Sequence, residues 1–281
     1  MQRRYAPPEP GTGEVCVKVA EGLLRKRVDR KDLLIFACVI DSRTSSVIEL
    51  FQDAGFDALM IDREHSALNH ETIMDHIRVA RALQFPCMVR VAEDAYHELN
   101  RTLDQAPDGI YVPRIKSREQ VEQVLRTVRY RPLGIRGLAG STCPAGKYKG
   151  WDGGVIKQIE TVNRNTVVGI QIETAEALEH LDDILSVKGL DIAVVGPDDL
   201  GMNMGLPGQL QSQPFLDAVE RVIRTCEKHG VLPGIATGDP DAAAHWIKRG
   251  AKVIWYAADI TLVWAGAVRA MADLKDRLAG D

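Results

Sequence analysis

Paired cysteines are missing from this chain. The five that occur, Cys16, Cys38, Cys87, Cys143 and Cys226, make no C-x-x-C pair and no zinc spacing, which argues against a disulfide scaffold and a structural zinc module. Cys38 and Cys87 fall inside apolar runs, where a thiol behaves as a small hydrophobe, so the cysteines read as reduced and the chain as cytoplasmic. A basic excess is missing too. Lys and Arg total 35 against 39 Asp and Glu, a net charge of −4, and aromatics make up only 5%, too little positive charge and stacking surface for a nucleic-acid partner. Long hydrophobic runs are absent: the longest, Leu33 to Ile40, is far short of the roughly 20 residues a membrane helix needs. The opening MQRRYAPPEPGTGE has no apolar signal core, and its Glu9 and Glu14 argue against an acid-poor transit peptide. What remains is a core-forming globular chain of 281 residues, long enough for one large domain.

Pro7, Pro8, Pro10, Gly11 and Gly13 predict a poorly ordered arm over residues 1–14. Val15, Val19, Leu23 and Leu24, with Lys18, Lys26 and Arg27 between them, predict an amphipathic helix that lids the base of the core. Residues 1–30 form this N-terminal extension and residues 31–281 the main domain. In that domain LLIFACV, DALMI, CMVRV and GIYVP are each followed by a helical pattern. After a Gly-rich interruption, TVVGIQI, DIAVV, LPGIA and KVIWYA repeat the rhythm. Short strands apolar on both faces and separated by helices belong to a covered parallel sheet, and eight repeats in about 250 residues favour an α/β fold closed into a (β/α)8 TIM barrel. The alternative, an open doubly wound sheet, lacks a GxGxxG after its first strand. The stretch from Arg131 to Arg164, holding GIRGLAGSTCPAGKYKGWDGG, is longer than an ordinary connection and is predicted to lie over the active face.

In such a barrel the chemistry comes from the C-terminal strand ends. Strand two ends Asp62-Arg63-Glu64-His65, strand three carries Arg90, strand five ends Gln171-Ile172-Glu173-Thr174, and strand six ends Gly196-Pro197-Asp198-Asp199. Glu173 or Asp199 alone reads equally as an acid stabilising the following helix. Both on neighbouring strands, beside Arg90 and His65, point to an oxygen-ligand metal site, since two close carboxylates need a cation between them. Mg2+ or Mn2+ suits two carboxylates plus waters, with Co2+ or Zn2+ as substitutes. Arg90 reads either as half of a structural ion pair or as a cation for a developing oxyanion. His65 is a candidate base with Asp62 as its orienting acid. His70, His76, His97, His180, His229 and His245 read as solvated or structural. Lys147 and Lys149 lie in the long loop, so no strand supplies a Schiff-base lysine.

With DREH at 62–65, VRV around Arg90, VP at 112–113, GIRG at 134–137, QIET at 171–174 and GPDDL at 196–200, the chain resembles the HpcH/HpaI aldolase family from about Leu33 to its last helix. The resemblance implies a phosphoenolpyruvate/pyruvate-type barrel and a class II, metal-dependent aldolase. Such an enzyme reversibly cleaves a 4-hydroxy-2-oxo acid to pyruvate and an aldehyde through a metal-bound pyruvate enolate, with oxaloacetate decarboxylation as a side activity. It implies Glu173 and Asp199 as metal ligands, Arg90 on the keto oxygen, His65 as base with Asp62 as its partner, and Glu64 within the D-x-E-H motif. Asp104 would be an acid that holds the site together. The backbone at Asp198 and Asp199, after Gly196-Pro197, would hold the carboxylate, and Gln171 would line the substrate. It also implies a homo-oligomer, hexameric or a trimer of dimers, in which the final helix exchanges between subunits. Arg63 departs from the family pattern and is expected to tune charge at the mouth; LDQAPDG and STCPAGKYKGW depart from it as well. The rival readings are a lyase acting on a citryl- or malyl-CoA ester, a macrophomate-synthase-like decarboxylating enzyme, and a barrel that binds without catalysis.

Overall fold

The computed structural model of the chain describes residues 22–146 and 153–279. Val15, Val19, Cys16, Lys147 and Lys149 lie outside them. The described chain begins with α1 (Leu23–Asp29), β1 (Leu34–Val39), α2 (Ser46–Asp53), β2 (Ala58–Asp62), α3 (His70–Ala82), β3 (Cys87–Arg90) and α4 (Tyr96–Leu103). It continues through β4 (Gly109–Val112), α5 (Arg118–Val128), α6 (Gly154–Asn165), β5 (Val167–Ile172), α7 (Ala175–Glu179), α8 (Leu181–Leu185) and β6 (Ile192–Val195). It ends with α9 (Pro197–Asn203), α10 (Gln213–His229), β7 (Leu232–Ala236), α11 (Pro240–Lys248), β8 (Val253–Ala258) and α12 (Asp259–Ala279). The eight strands close as β1 to β8 in sequence order, and every pairing is parallel. The protein is therefore a (β/α)8 barrel.

Burial explains the strand composition. Alternate residues such as Phe36, Met60, Met88, Val194 and Trp255 fill the barrel interior, while Ile110, Ile170, Val195 and Ile235 pack outward under the helices. Both faces are dry, so the strands read as apolar runs rather than as alternation. Tyr111 crosses the interior edge-on to Phe36 and Trp255, at 6.1 and 4.7 Å between ring centroids. It fits because residue 169 is glycine: a Cβ there would stand 2.3 Å from the Tyr111 ring.

The predicted basal lid is α1. Leu24 and Val28 join the interior cluster. Arg25 clamps Asp191 at 2.6 and 2.7 Å, and Arg27 reaches Asp57 at 2.6 Å, on the loops that enter β6 and β2. The stretch AEALEHLDDIL after β5 breaks at His180 into α7 and α8, and α6 is a helix the strand–helix rhythm did not mark out.

The long connection before β5 does not line the mouth with any of its described residues, and residues 147–152 lie outside the described residues. Its described residues pack on the flank of α4: Gly137 N–H donates to the Tyr96 hydroxyl and Ala145 N–H to the Asp104 carbonyl. Arg136 bonds the Asp104 carboxylate at 3.1 Å while its guanidinium stacks over Tyr130. Asp104 thus secures this segment to α4, its partners here being Arg136 and the Ala145 N–H rather than a mouth residue.

Helix α12 leaves the barrel instead of packing on it. Ile260, Leu262, Val263, Trp264, Val268 and Met271 are 43 to 71% exposed, and Asp259 is its one buried residue. Among the described residues no helix is long and apolar enough to cross a membrane.

Candidate active site

Four strand ends deliver polar side chains to one cavity of about 570 Å3 at the C-terminal mouth, lined by His65, Arg90, Gln171, Glu173, Gly196 and Asp199 among others. Its centre is Arg90. Asp62, fully buried at the end of β2, holds that guanidinium through two bonds of 2.8 and 2.6 Å. Glu64 approaches it at 3.2 Å and the Gln171 amide oxygen accepts from it at 3.3 Å. Burial alone would lower the guanidinium's proton affinity; the Asp62 bonds and charge outweigh it and hold the pKa above the usual value. The fork is therefore a fixed cation, turned edge-on by its carboxylate and lying over Trp255 at 5.5 Å.

The expected pairing of Asp62 with the His65 imidazole is absent. One Asp62 oxygen instead accepts from the backbone N–H groups of Glu64 and His65, at 2.9 and 3.4 Å. That curls the chain after β2 and leaves the acid facing Arg90. The His65 side chain stands 59% exposed at the rim, its Nε2 3.8 Å from Glu64. Arg63 turns away from the mouth to pair with Glu98 on α4 at 2.6 Å, so it pins a helix rather than tuning the cavity's charge.

Glu173 is placed by three neighbours. Its Oε1 accepts the Arg114 N–H at 2.6 Å and its Oε2 the Gln171 amide at 2.7 Å. Arg114 offers that N–H from a left-handed backbone, φ 55°, a strained conformation of the kind found where a site demands it. Gly196 completes the seat, because a Cβ there would fall 2.6 Å from Oε2. Burial first, then the charges of Glu64 and Asp199, push the Glu173 carboxyl up to about 7, against the pull of the Arg114 bond and Arg90. Burial also raises Glu64, opposed by Arg90 and His65. Asp199 and the exposed Asp198 sit in the first turn of α9 behind Pro197, where backbone N–H groups have no helical carbonyl to meet.

Carboxylates thus crowd one mouth beside a single arginine, and the donor set fits a divalent cation. Among the described residues no three His, Cys, Asp or Glu side chains gather into a complete metal shell. Glu173 and Asp199 are the carboxylates that could hold such a cation, a pair that would suit Mg2+ or Mn2+ with waters or substrate oxygens in the remaining positions. Each Glu173 oxygen retains a lone pair beyond its hydrogen bond. No described lysine lines the cavity. Cys38 does line it, but burial pushes its thiol up to about 12, which removes it as a nucleophile near neutral pH.

One site-shaping residue escaped the sequence reading. Asp259 accepts from the N–H groups of Ile40, Asp41 and Ser42 at 2.7 to 3.3 Å, tying the loop after β1 to the start of α12. His76, read as solvated or structural, is buried and clamps the same loop through the Ser42 carbonyl at 2.9 Å. A carboxylate caught by backbone amides leaves no sequence signature, and neither does the Arg114 amide.

Residues 36–265 match the model of the HpcH/HpaI aldolase/citrate lyase family. The chain belongs to that family. An Escherichia coli 4-hydroxy-2-oxo-heptane-1,7-dioate aldolase is 30% identical over 224 residues, 80% of this chain and 84% of the relative. Among solved structures, an HpcH/HpaI aldolase from Desulfitobacterium hafniense DCB-2 superposes with a TM-score of 0.84 at 25% identity, covering 90% of this chain and 96% of that one. The citrate synthase SbnG does so at 0.80 and 27%, covering 90% and 98%. As a member of this family the chain is an enzyme of the aldolase/lyase type.

Proposed function

We propose that this protein is a cytoplasmic, divalent-metal-dependent aldolase that reversibly cleaves a 4-hydroxy-2-oxo acid to pyruvate and an aldehyde. The observation that carries the reading is Arg90, a buried cation fixed by Asp62 and facing the same cavity as Glu173 and Asp199. Glu173 and Asp199 would hold Mg2+ or Mn2+, which when bound supplies Lewis acidity to a 2-oxo acid. Arg90 donates to the keto oxygen, where negative charge develops as the C3–C4 bond breaks. The first-turn amides at Asp198 and Asp199 receive the substrate carboxylate. Gln171 bridges Arg90 and Glu173 and holds the two in register. His65, at the rim, takes the proton of the 4-hydroxyl in cleavage and returns it in condensation. Asp62 acts through Arg90 as a positioning residue. Oxaloacetate decarboxylation draws on the same charge stabilisation.

Similarity to a citrate synthase favours a second reading, carbon–carbon bond formation onto a 2-oxo acid or a CoA ester with the same mouth. Proton NMR of pyruvate in D2O separates the possibilities. Loss of the methyl signal that needs Mg2+ or Mn2+, and stops with chelator, is expected of the aldolase. No exchange with any divalent metal sends the assignment to CoA esters, and failure there to a non-catalytic barrel.

The apolar, unpartnered α12 supports a homo-oligomer, proposed as a hexamer or trimer of dimers, because so large an exposed apolar helix marks a protein interface. Sedimentation velocity is expected to show a multimer, and truncation after Asp259 to dissociate or unfold it. Unchanged sedimentation of the truncated chain removes this role.

A further inference from the structure

The cavity is two-sided. Its polar pole is built by the ends of β2, β3, β5 and β6; its other pole comes from β7, β8 and the helices around them. There Leu210, Phe215, Ile235, Trp246 and Tyr256 present alkyl and aromatic surface, and Phe215, Ile235 and Trp246 are buried. The volume, about 570 Å3, far exceeds what a three-carbon acid fills and lies in the range of sites for larger ligands.

Charge decides what the apolar pole accepts. With Glu173 and Asp199 given to the divalent cation, Asp198 and Asp239 are the acids left among the described residues lining the cavity, and Arg90 is the sole arginine or lysine there. Arg90 is already committed to Asp62, Glu64 and Gln171. Asp239 lines the cavity and caps α11 by accepting the Asp241 N–H, and no arginine or lysine among the described lining residues is left to pair with it. A second carboxylate carried into this pole would lose water without gaining a cation.

Resting on the aldolase reading above, we infer that the second substrate is an uncharged aldehyde with an apolar alkyl or aromatic tail, housed between α10, α11 and β8. The aldehyde of the seven-carbon dicarboxylate for which the Escherichia coli relative is named would bring an acidic tail, and this cavity discriminates against it. In the addition, pyruvate loses one C3 proton, C3 bonds the aldehyde carbon, and the aldehyde oxygen takes a proton to become the 4-hydroxyl. No oxidant or reductant enters.

The test uses the full-length protein with Mg2+ or Mn2+ and pyruvate, and compares kcat/KM for benzaldehyde and hexanal with that for succinic semialdehyde. A preference of roughly tenfold or more for the uncharged pair is expected. Leu210→Arg and Thr237→Arg, both at half-buried positions, place a cation in the pole and are expected to move the ratio roughly tenfold toward succinic semialdehyde. Equal or better use of succinic semialdehyde by the wild-type chain, with pyruvate exchange intact, overturns the inference and leaves the aldolase reading standing. A ratio unmoved in both folded variants overturns the placement of the tail. Absence of pyruvate exchange overturns both readings together.

Discussion

Replacing Arg90 with alanine is expected to lower metal-dependent pyruvate exchange by about 10²- to 10³-fold, the cost of removing a preorganised donor from a developing oxyanion. The fold suffers as well. Asp62 is fully buried and bidentate to Arg90, and taking one partner from a buried pair leaves a stranded charge costing about 3 to 5 kcal/mol. Loss of exchange in Arg90→Ala alone therefore has two sources. The double variant Asp62→Asn/Arg90→Met separates them, since removing both charges restores much of the stability while the oxyanion donor stays absent. Urea denaturation should find the double variant firmer than Arg90→Ala, and NMR should find it equally inactive. A double variant that regains exchange would falsify the role of Arg90.

The second large effect belongs to Glu173 and to pH. Its carboxyl is raised from 4.5 to about 7 in the fold, burial being the first cause. Between those values the native chain binds a proton that the unfolded chain has lost, so stability falls as pH rises through that window and the cost is complete above about 7. The difference corresponds to about 3 kcal/mol. In chelator, wild-type protein is expected to gain stability from pH 8 to pH 5 by up to that amount relative to Glu173→Gln, read from urea midpoints. Magnesium reverses the slope, because only the ionised carboxylate ligates it: affinity should weaken as pH drops below about 7, and Glu173→Gln should abolish Mg2+-dependent exchange. Parallel pH profiles for the two proteins would contradict this placement of Glu173.

Strand ends were the legible part of the site. Glu173, Asp199, Arg90 and Gln171 stand where apolar runs break off, and a polar side chain that would be costly to bury announces itself there. Roles within that set were less legible. Asp62 and His65 are three residues apart, which suggested a pair, yet the turn after β2 aims the Asp62 carboxylate at Arg90 and leaves the imidazole at the rim. Asp104 and Arg63 found partners on the flank, Arg136 and Glu98, because each belongs to a surface the linear order does not reveal.

The sequence by itself determined the eight strand–helix repeats, the basal helix and the strands that end in acids, because burial on both faces imposes apolar runs and a period that local composition records. Tertiary structure alone decided which acid meets which cation, that the Arg114 amide and Gly196 seat Glu173, that Asp259 ties down the loop after β1, and that α12 stands away from its own barrel. Those outcomes depend on backbone donors and on the direction of side chains across strands far apart in the chain. Neither quantity is written in residue type or spacing.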